Sequence, residues 1–235
     1  MFPVAILCGG LGTRLHPIAK DIPKSLVLIR NEPFLSHQLK LLRSKGVRRV
    51  ILCVGHLGEM IRNAFGDGSR WDVAIDYSFD GNQPLGTGGA LRKALPLLGP
   101  AFFVTYGDSY LPIDFASVQK SFESHKKPAL MTVYANEGRW DRSNVKFQRG
   151  QIMAHDKKHP MPEMKHIDYG LSIVTAEALQ DFPEGKPLDL ADVFSALVQK
   201  NQLAGYEVFE RFYEIGSPEG LKDFERLVAS KVPKA

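Results

Sequence analysis

The chain opens on an apolar run, Val4-Ala5-Ile6-Leu7-Cys8, that stops abruptly at Gly9-Gly10-Leu11-Gly12-Thr13-Arg14-Leu15 and is followed by Asp21-Ile22-Pro23-Lys24. Such a run reads as a buried strand, and three glycines within four residues let the next loop bring backbone N–H groups close to an anion. Arg14 and Lys24 add two positive charges nearby in sequence. The combination predicts a polyphosphate site at the end of a first core strand.

Two familiar phosphate loops do not fit. A dinucleotide fingerprint needs a third glycine where Leu15 stands, because a helix packs closely on the strand there. A P-loop needs a lysine and then Ser or Thr directly after its second glycine, and this stretch has no such pair. The plainer alternative is a tight turn around a salt-bridged arginine.

The stretch resembles the signature of the sugar nucleotidyltransferases. There, a first strand leads into G-G-x-G-T-R-L, then a proline, then D-x-P-K, and Pro17, Asp21, Pro23 and Lys24 occupy those places. The resemblance extends over nearly the whole chain. It runs toward small guanylyltransferases acting on heptose or mannose 1-phosphates, with short uridylyltransferases as neighbours.

At 235 residues, 44% of them hydrophobic and 24% charged, the chain can bury one substantial core. No apolar run approaches the roughly 18 residues needed to span a bilayer, and the first residues lack the basic segment and cleavage pattern of a signal peptide. A cytoplasmic protein with no membrane partner is expected. Cys8 and Cys53 sit within apolar runs, as reduced core residues do, and two cysteines alone make no Cys-based zinc site. The net charge of +4 suits an anionic substrate, but the basic residues are scattered, so no nucleic-acid partner is expected. Monomer and homo-oligomer both stay open.

Along the chain, residues 25–29 read as a short strand or extended segment, and 33–46 as a helix opened by Pro33 and ended by Gly46. Strands are predicted at 47–54, 71–77, 101–106, 129–133 and 167–174, with hairpin strands at 145–147 and 151–153 and the last strand material at 206–213. Helices are predicted at 59–65, 90–98, 188–200 and 217–228, and from Asp114 or Ser117 toward His125. A glycine-rich loop, 79–89, precedes the second of these. Strands alternating with helices predict an α/β fold, with parallel βαβ units and helices on both faces. In such sheets ligands bind beyond the carboxyl ends of the strands. The resemblance implies a Rossmann-like, mostly parallel sheet of the nucleotide-diphospho-sugar transferase type with a small mixed β sugar-binding region. The whole forms one domain over 1–235, with a nucleotide part at about 1–135 and a sugar and phosphate part at about 136–235.

Gly107-Asp108 ends the strand at 101–106, and an aspartate there can hold Mg²⁺ against phosphates. A turn cap is the alternative. The resemblance makes Asp108 the first ligand of Mg²⁺ and a nucleotide contact. Its second carboxylate falls in a late D-x-G motif where this chain has Tyr213-Glu214-Ile215-Gly216, so Glu214 takes that role with an extra methylene. The implied reaction is attack by a sugar 1-phosphate oxygen on the α-phosphorus of a nucleoside triphosphate, with GTP favoured, releasing pyrophosphate. A phosphate monoester is already a competent nucleophile, so positioning and charge stabilisation dominate.

By the same resemblance, Arg14 clamps the triphosphate, Lys24 contacts phosphates near the transferred group, and Lys157 holds the sugar phosphate. The E-K-P motif is matched here by Asp156-Lys157-Lys158, which lacks the proline and leaves Lys157 and Lys158 as alternatives. Leu7, Gly9, Gly10, Gly12, Thr13, Gln83, Gly88 and Gly89 are expected around the nucleotide, and Asp168, Tyr169 and Gly170 around the sugar. Ser109 has no base partner or nucleophile-elbow setting, which argues against a hydrolase triad. The spacing of His155 and His159 loosely suggests a metal pair, but Pro160 follows directly. Two other readings stay open, a UTP-dependent hexose or amino-sugar enzyme and a catalytically weakened nucleotide-binding homologue.

Overall fold

A computed structural model describes residues 1–10, 21–81 and 83–230. The first half runs β1 (Val4–Leu7), a 3-10 turn at Lys24–Leu26, the short ribbon of β2 (Leu28–Ile29) and β3 (Glu32–Pro33), and α1 (Phe34–Ser44). It continues through β4 (Arg49–Val54), α2 (Gly58–Phe65), β5 (Ala74–Phe79), α3 (Gly86–Leu98) and β6 (Ala101–Tyr106). The second half begins with β7 (Ser109–Tyr110), α4 (Phe115–His125), β8 (Ala129–Ala135), β9 (Val145–Gln148), β10 (Gln151–His155) and β11 (His166–Thr175). It closes with α5 (Glu177–Gln180), α6 (Leu190–Gln199), β12 (Leu203–Val208), β13 (Tyr213–Glu214) and α7 (Pro218–Ser230).

Among the described residues, nine strands form one sheet in the order β5-β4-β1-β6-β11-β8-β12-β10-β9. The strands β5, β4, β1 and β6 are parallel, β11 runs antiparallel between β6 and β8, and β12 is parallel to β8. The result is a Rossmann-like parallel half continued by a mixed half. In β1 and β4 both faces are covered, which explains their near-continuous apolar sequences. Helices α1, α2 and α4 pack Leu39, Ile61 and Phe115 on one face, while α3, α5 and α6 pack Leu91, Leu179 and Phe194 on the other. A third cluster, around Phe34, Phe224 and Ile215, fixes α7 beside β7 and β13.

Local chemistry sets the element ends. Asp114 caps α4 by accepting from Ala116 N–H at 3.1 Å, and Ser217 Oγ accepts from Gly220 N–H at 3.0 Å at the start of α7. The predicted strand over 206–213 divides, because β12 ends at Val208 and Tyr213 pairs with Tyr110 in the β13–β7 ribbon. Residues 24–26 form the 3-10 turn, so the predicted strand over 25–29 shrinks to β2. No helix among the described residues is long and apolar enough to cross a membrane.

Candidate active site

Because β1, β4, β5 and β6 are parallel, they deliver their following loops to one edge of the sheet: Gly9-Gly10, Gly55, Asp80 and Gly107-Asp108. A cleft of about 320 Å³ opens there, its walls including Leu7, Gly10, Asp80, Thr87, Tyr106 and Asp108. Leu7, Gly9 and Gly10 line it, whereas Gly12, Thr13 and Arg14 lie outside the described residues. Gly107 is required by close packing, since a Cβ there would stand 2.7 Å from Cys8 Sγ and 3.2 Å from the Leu7 carbonyl oxygen. Burial, with Asp108 adding to it, pushes the Cys8 thiol up to about 12, so it faces the cleft as a neutral group.

At one end of the cleft Lys24 Nζ donates to Asp108 Oδ2 at 3.0 Å. The 3-10 turn that starts at Lys24 aims the lysine, and the end of β6 aims the aspartate. Both side chains keep contact with water, at 17% and 26% exposure, so the pair adds about 1 kcal/mol of stability at most. Its weight lies in placing a cation and a carboxylate side by side at the cleft. Glu214 pairs in register with Ser109, and Ile215 N–H donates to the Asp108 carbonyl, which brings the two acidic segments together. The Glu214 carboxylate is turned to the start of α7, accepting from Gly216 N–H at 2.5 Å and Ser217 Oγ at 2.9 Å. No group of three or more His, Cys, Asp or Glu side chains able to hold a metal occurs among the described residues.

A second charged group lies behind Tyr106. Lys157 Nζ pairs with Asp168 Oδ2 at 3.2 Å and stands 5.6 Å from the centre of the Tyr106 ring. Of the two candidate lysines it is therefore Lys157 that reaches the cleft wall, while Lys158 donates its backbone N–H to Asp156. Asp168 is 4% exposed and also accepts from Gly170 N–H at 3.0 Å. Burial works to raise its carboxyl, but Lys157, His155 and the Gly170 N–H outweigh that and hold it below the usual carboxylate range. The facing carboxylate in turn raises Lys157, against desolvation. Burial pushes the Tyr106 phenol up to about 12, with Lys157 opposing, so it faces the cleft as a neutral hydroxyl.

Several expected contacts are redistributed. The helix α3 starts at Gly86, four residues earlier than its apolar spacing indicates, so Gly88 and Gly89 belong to its first turn. Both donate to the Leu188 carbonyl, at 2.8 and 3.2 Å, and a Cβ on Gly89 would meet the Lys186 carbonyl at 2.9 Å. Their smallness serves the packing of the 186–190 segment. Gly86, Thr87 and Ala90 face the cleft in their place. Gln83 opens onto a neighbouring hollow with Lys93 and Glu184. Tyr169 is 2% exposed and packs edge-on to Phe212 at 5.9 Å, because strand alternation sends it to the face opposite Asp168. Gly170, at φ +96°, sits in the register shift between Asp168 and Ser172, and a Cβ there would meet nothing closer than 3.8 Å. His155 is buried edge-on to Phe194 and His159 is exposed.

Asp80, Thr87, Tyr106 and Asp189 went unrecognised in the sequence. Asp80 and Tyr106 were signalled by the rule that located Asp108, since each stands at the end of a parallel strand. Thr87 Oγ donates to Asp189 Oδ1 at 3.0 Å and accepts from Leu190 N–H at 2.8 Å, joining the starts of α3 and α6. No local pattern announces a contact across that separation.

The sequence model described as nucleotidyl transferase matches residues 4–144. The D-glycero-alpha-D-manno-heptose 1-phosphate guanylyltransferase of Campylobacter jejuni is 30% identical over 220 residues, covering 93% of this chain and 96% of that protein. The UTP–glucose-1-phosphate uridylyltransferase of Synechocystis is 30% identical over 97% of this chain, which spans 60% of that longer protein. Among solved structures, HddC from Yersinia pseudotuberculosis superposes with a TM-score of 0.80 at 25% identity, over 97% of this chain and all of that one. With the cleft at the carboxyl edge of the parallel strands and the matched residues spanning β1 through β8, the chain belongs to the nucleotidyl transferase family.

Proposed function

We propose that the protein transfers a nucleotidyl group from a nucleoside triphosphate to a sugar 1-phosphate, giving a nucleoside diphosphate sugar and pyrophosphate, with GTP and a heptose- or mannose-type sugar phosphate as the favoured pair. The observation that carries this reading is the Lys24–Asp108 pair at the cleft, with Lys157 behind Tyr106. The first pair suits the triphosphate, and Lys157 suits a phosphate entering from the mixed half of the sheet. A phosphate monoester needs no activating base, so aligned cations account for the chemistry. GTP and heptose are favoured by the likeness to the Campylobacter heptose 1-phosphate guanylyltransferase, and a guanine nucleotide also by the structure of HddC complexed with GMP-PN.

In this reading Mg²⁺ is held through Asp108. The donor is a hard oxygen at the cleft, and Mg²⁺ characteristically binds one or two carboxylates together with substrate phosphates. When bound, the ion neutralises phosphate charge. Lys24 orients the Asp108 carboxylate, while both Glu214 oxygens already accept, from Gly216 N–H and Ser217 Oγ. The second reading, a uridylyltransferase, is favoured by the Synechocystis relative.

The test is pyrophosphate release with Mg²⁺ across GTP, UTP, CTP, dTTP and ATP against heptose, mannose, glucose and N-acetyl amino-sugar 1-phosphates. Release with GTP and a heptose or mannose phosphate is the expected result. Preference for UTP establishes the second reading. Silence across the matrix despite tight nucleotide binding overturns transfer in favour of a binding homologue.

A further inference from the structure

Asp80 and Asp108 line the same cleft, carried by the loops that follow the two outer strands of the parallel set β5-β4-β1-β6. With Lys24 and Asp108 paired and assigned to the triphosphate, Asp80 is the cleft carboxylate left for the base. Asp80 follows β5 directly and is half-buried, and its Oδ2 lies 3.4 Å from where a Cβ on Gly9 or Gly55 would stand. Glycine at both positions keeps the approach to this oxygen open.

Among the described residues the carboxylate is poorly satisfied. Leu85 N–H reaches Oδ2 at 3.5 Å, the outer limit of a hydrogen bond. Lys93, the nearby cation, donates at 3.0 Å to the Asp80 backbone carbonyl, not to the carboxylate. A carboxylate bordering a cleft with spare acceptor capacity is a recognition group for a ligand that brings donors.

We infer that Asp80 is a specificity-determining residue that accepts two hydrogen bonds from guanine, from N1–H and the N2 amino group. An ionised carboxylate only accepts, and guanine alone among the common bases presents two adjacent donors on its pairing edge. Adenine and cytosine set a donor beside an unprotonated ring nitrogen, and uracil and thymine flank their single N3–H with carbonyls. A bidentate pair is therefore available to guanine only. The inference rests on the nucleotidyl transfer reading and names its base.

The test compares GTP, inosine triphosphate, xanthosine triphosphate and UTP with the wild-type protein and Asp80→Asn. Pyrophosphate release is read with sugar 1-phosphate present, and calorimetric nucleotide binding is read without it. Loss of the N2 amino group in inosine triphosphate should cost the wild type roughly 10- to 100-fold in kcat/KM. Asp80→Asn offers one donor and one acceptor, which match the C2 carbonyl and N1–H of xanthine, so the preference should invert from GTP to xanthosine triphosphate. Equal weakening of all four nucleotides, or a retained GTP preference, overturns the assignment. Inverted binding without pyrophosphate release upholds Asp80 and sinks the transfer reading. Release that prefers UTP and ignores the substitution keeps transfer and sinks Asp80.

Discussion

Lys24 and Asp108, 84 positions apart, meet at 3.0 Å across the mouth of the cleft. Neither is buried deeply enough for the pair to stabilise the fold appreciably. Lys24→Met and Asp108→Asn should therefore leave the unfolding free energy within about 1 kcal/mol of wild type. Each should lower kcat for pyrophosphate release by about 100-fold or more, the scale of losing one electrostatic contact to developing charge. A large stability loss with kcat intact would reassign the pair to structure.

The Asp168 carboxyl is held below its usual range in the folded protein. Its ion pair therefore contributes stability above the unfolded value near 4, and that contribution is lost as pH falls through the depressed folded value. Subtracting the stability–pH curve of Asp168→Asn from that of wild type should give a difference that is flat at neutral pH and shrinks below roughly pH 4.

Lys157→Met removes the cation and leaves Asp168 buried. The expected loss is about 1–3 kcal/mol by chemical denaturation, reduced from the cost of breaking a fully buried pair because Lys157 is 40% exposed. Asp168→Asn should cost less, since it leaves no unpaired buried charge.

Gly107→Ala places a methyl group 2.7 Å from Cys8 Sγ and 3.2 Å from the Leu7 carbonyl. Relief requires moving the end of β1 against β6, at a cost of about 1–3 kcal/mol. The movement falls on the cleft wall, so calorimetry should show weaker nucleotide binding as well.

Thr87→Val deletes the hydroxyl that joins Asp189 to Leu190 N–H. Asp189 still caps α6 through Ala191 N–H at 3.0 Å, so the loss should be only about 1 kcal/mol. Urea denaturation checks it.

The sequence signalled most clearly where one local rule decides the structure. The apolar run into Gly9-Gly10, the Gly107-Asp108 step and the Ser217-Pro218 start of α7 are short-range patterns, and the sheet edge gathers the first two. Where tertiary packing decides, the pattern misled. Glycine is a poor helix former, so Gly86, Gly88 and Gly89 read as loop, although Leu188 crowds the first two and the Lys186 carbonyl the third too closely for a Cβ. Asp168 and Tyr169 are neighbours in sequence but face opposite sides of β11, and only one can serve a pocket on either side. Glu214 stood where a metal carboxylate was expected, and the carboxylate's bonds to Gly216 and Ser217 are contacts that only the fold reveals.

The most direct test of nucleotidyl transfer follows the phosphorus atoms of GTP in the presence of Mg²⁺ and a heptose 1-phosphate. Label on the α-phosphorus should appear in a nucleoside diphosphate sugar, and label on the γ-phosphorus in pyrophosphate. Recovery of γ-label in a sugar bisphosphate or in inorganic phosphate would mean phosphoryl transfer or hydrolysis, and would contradict the assignment.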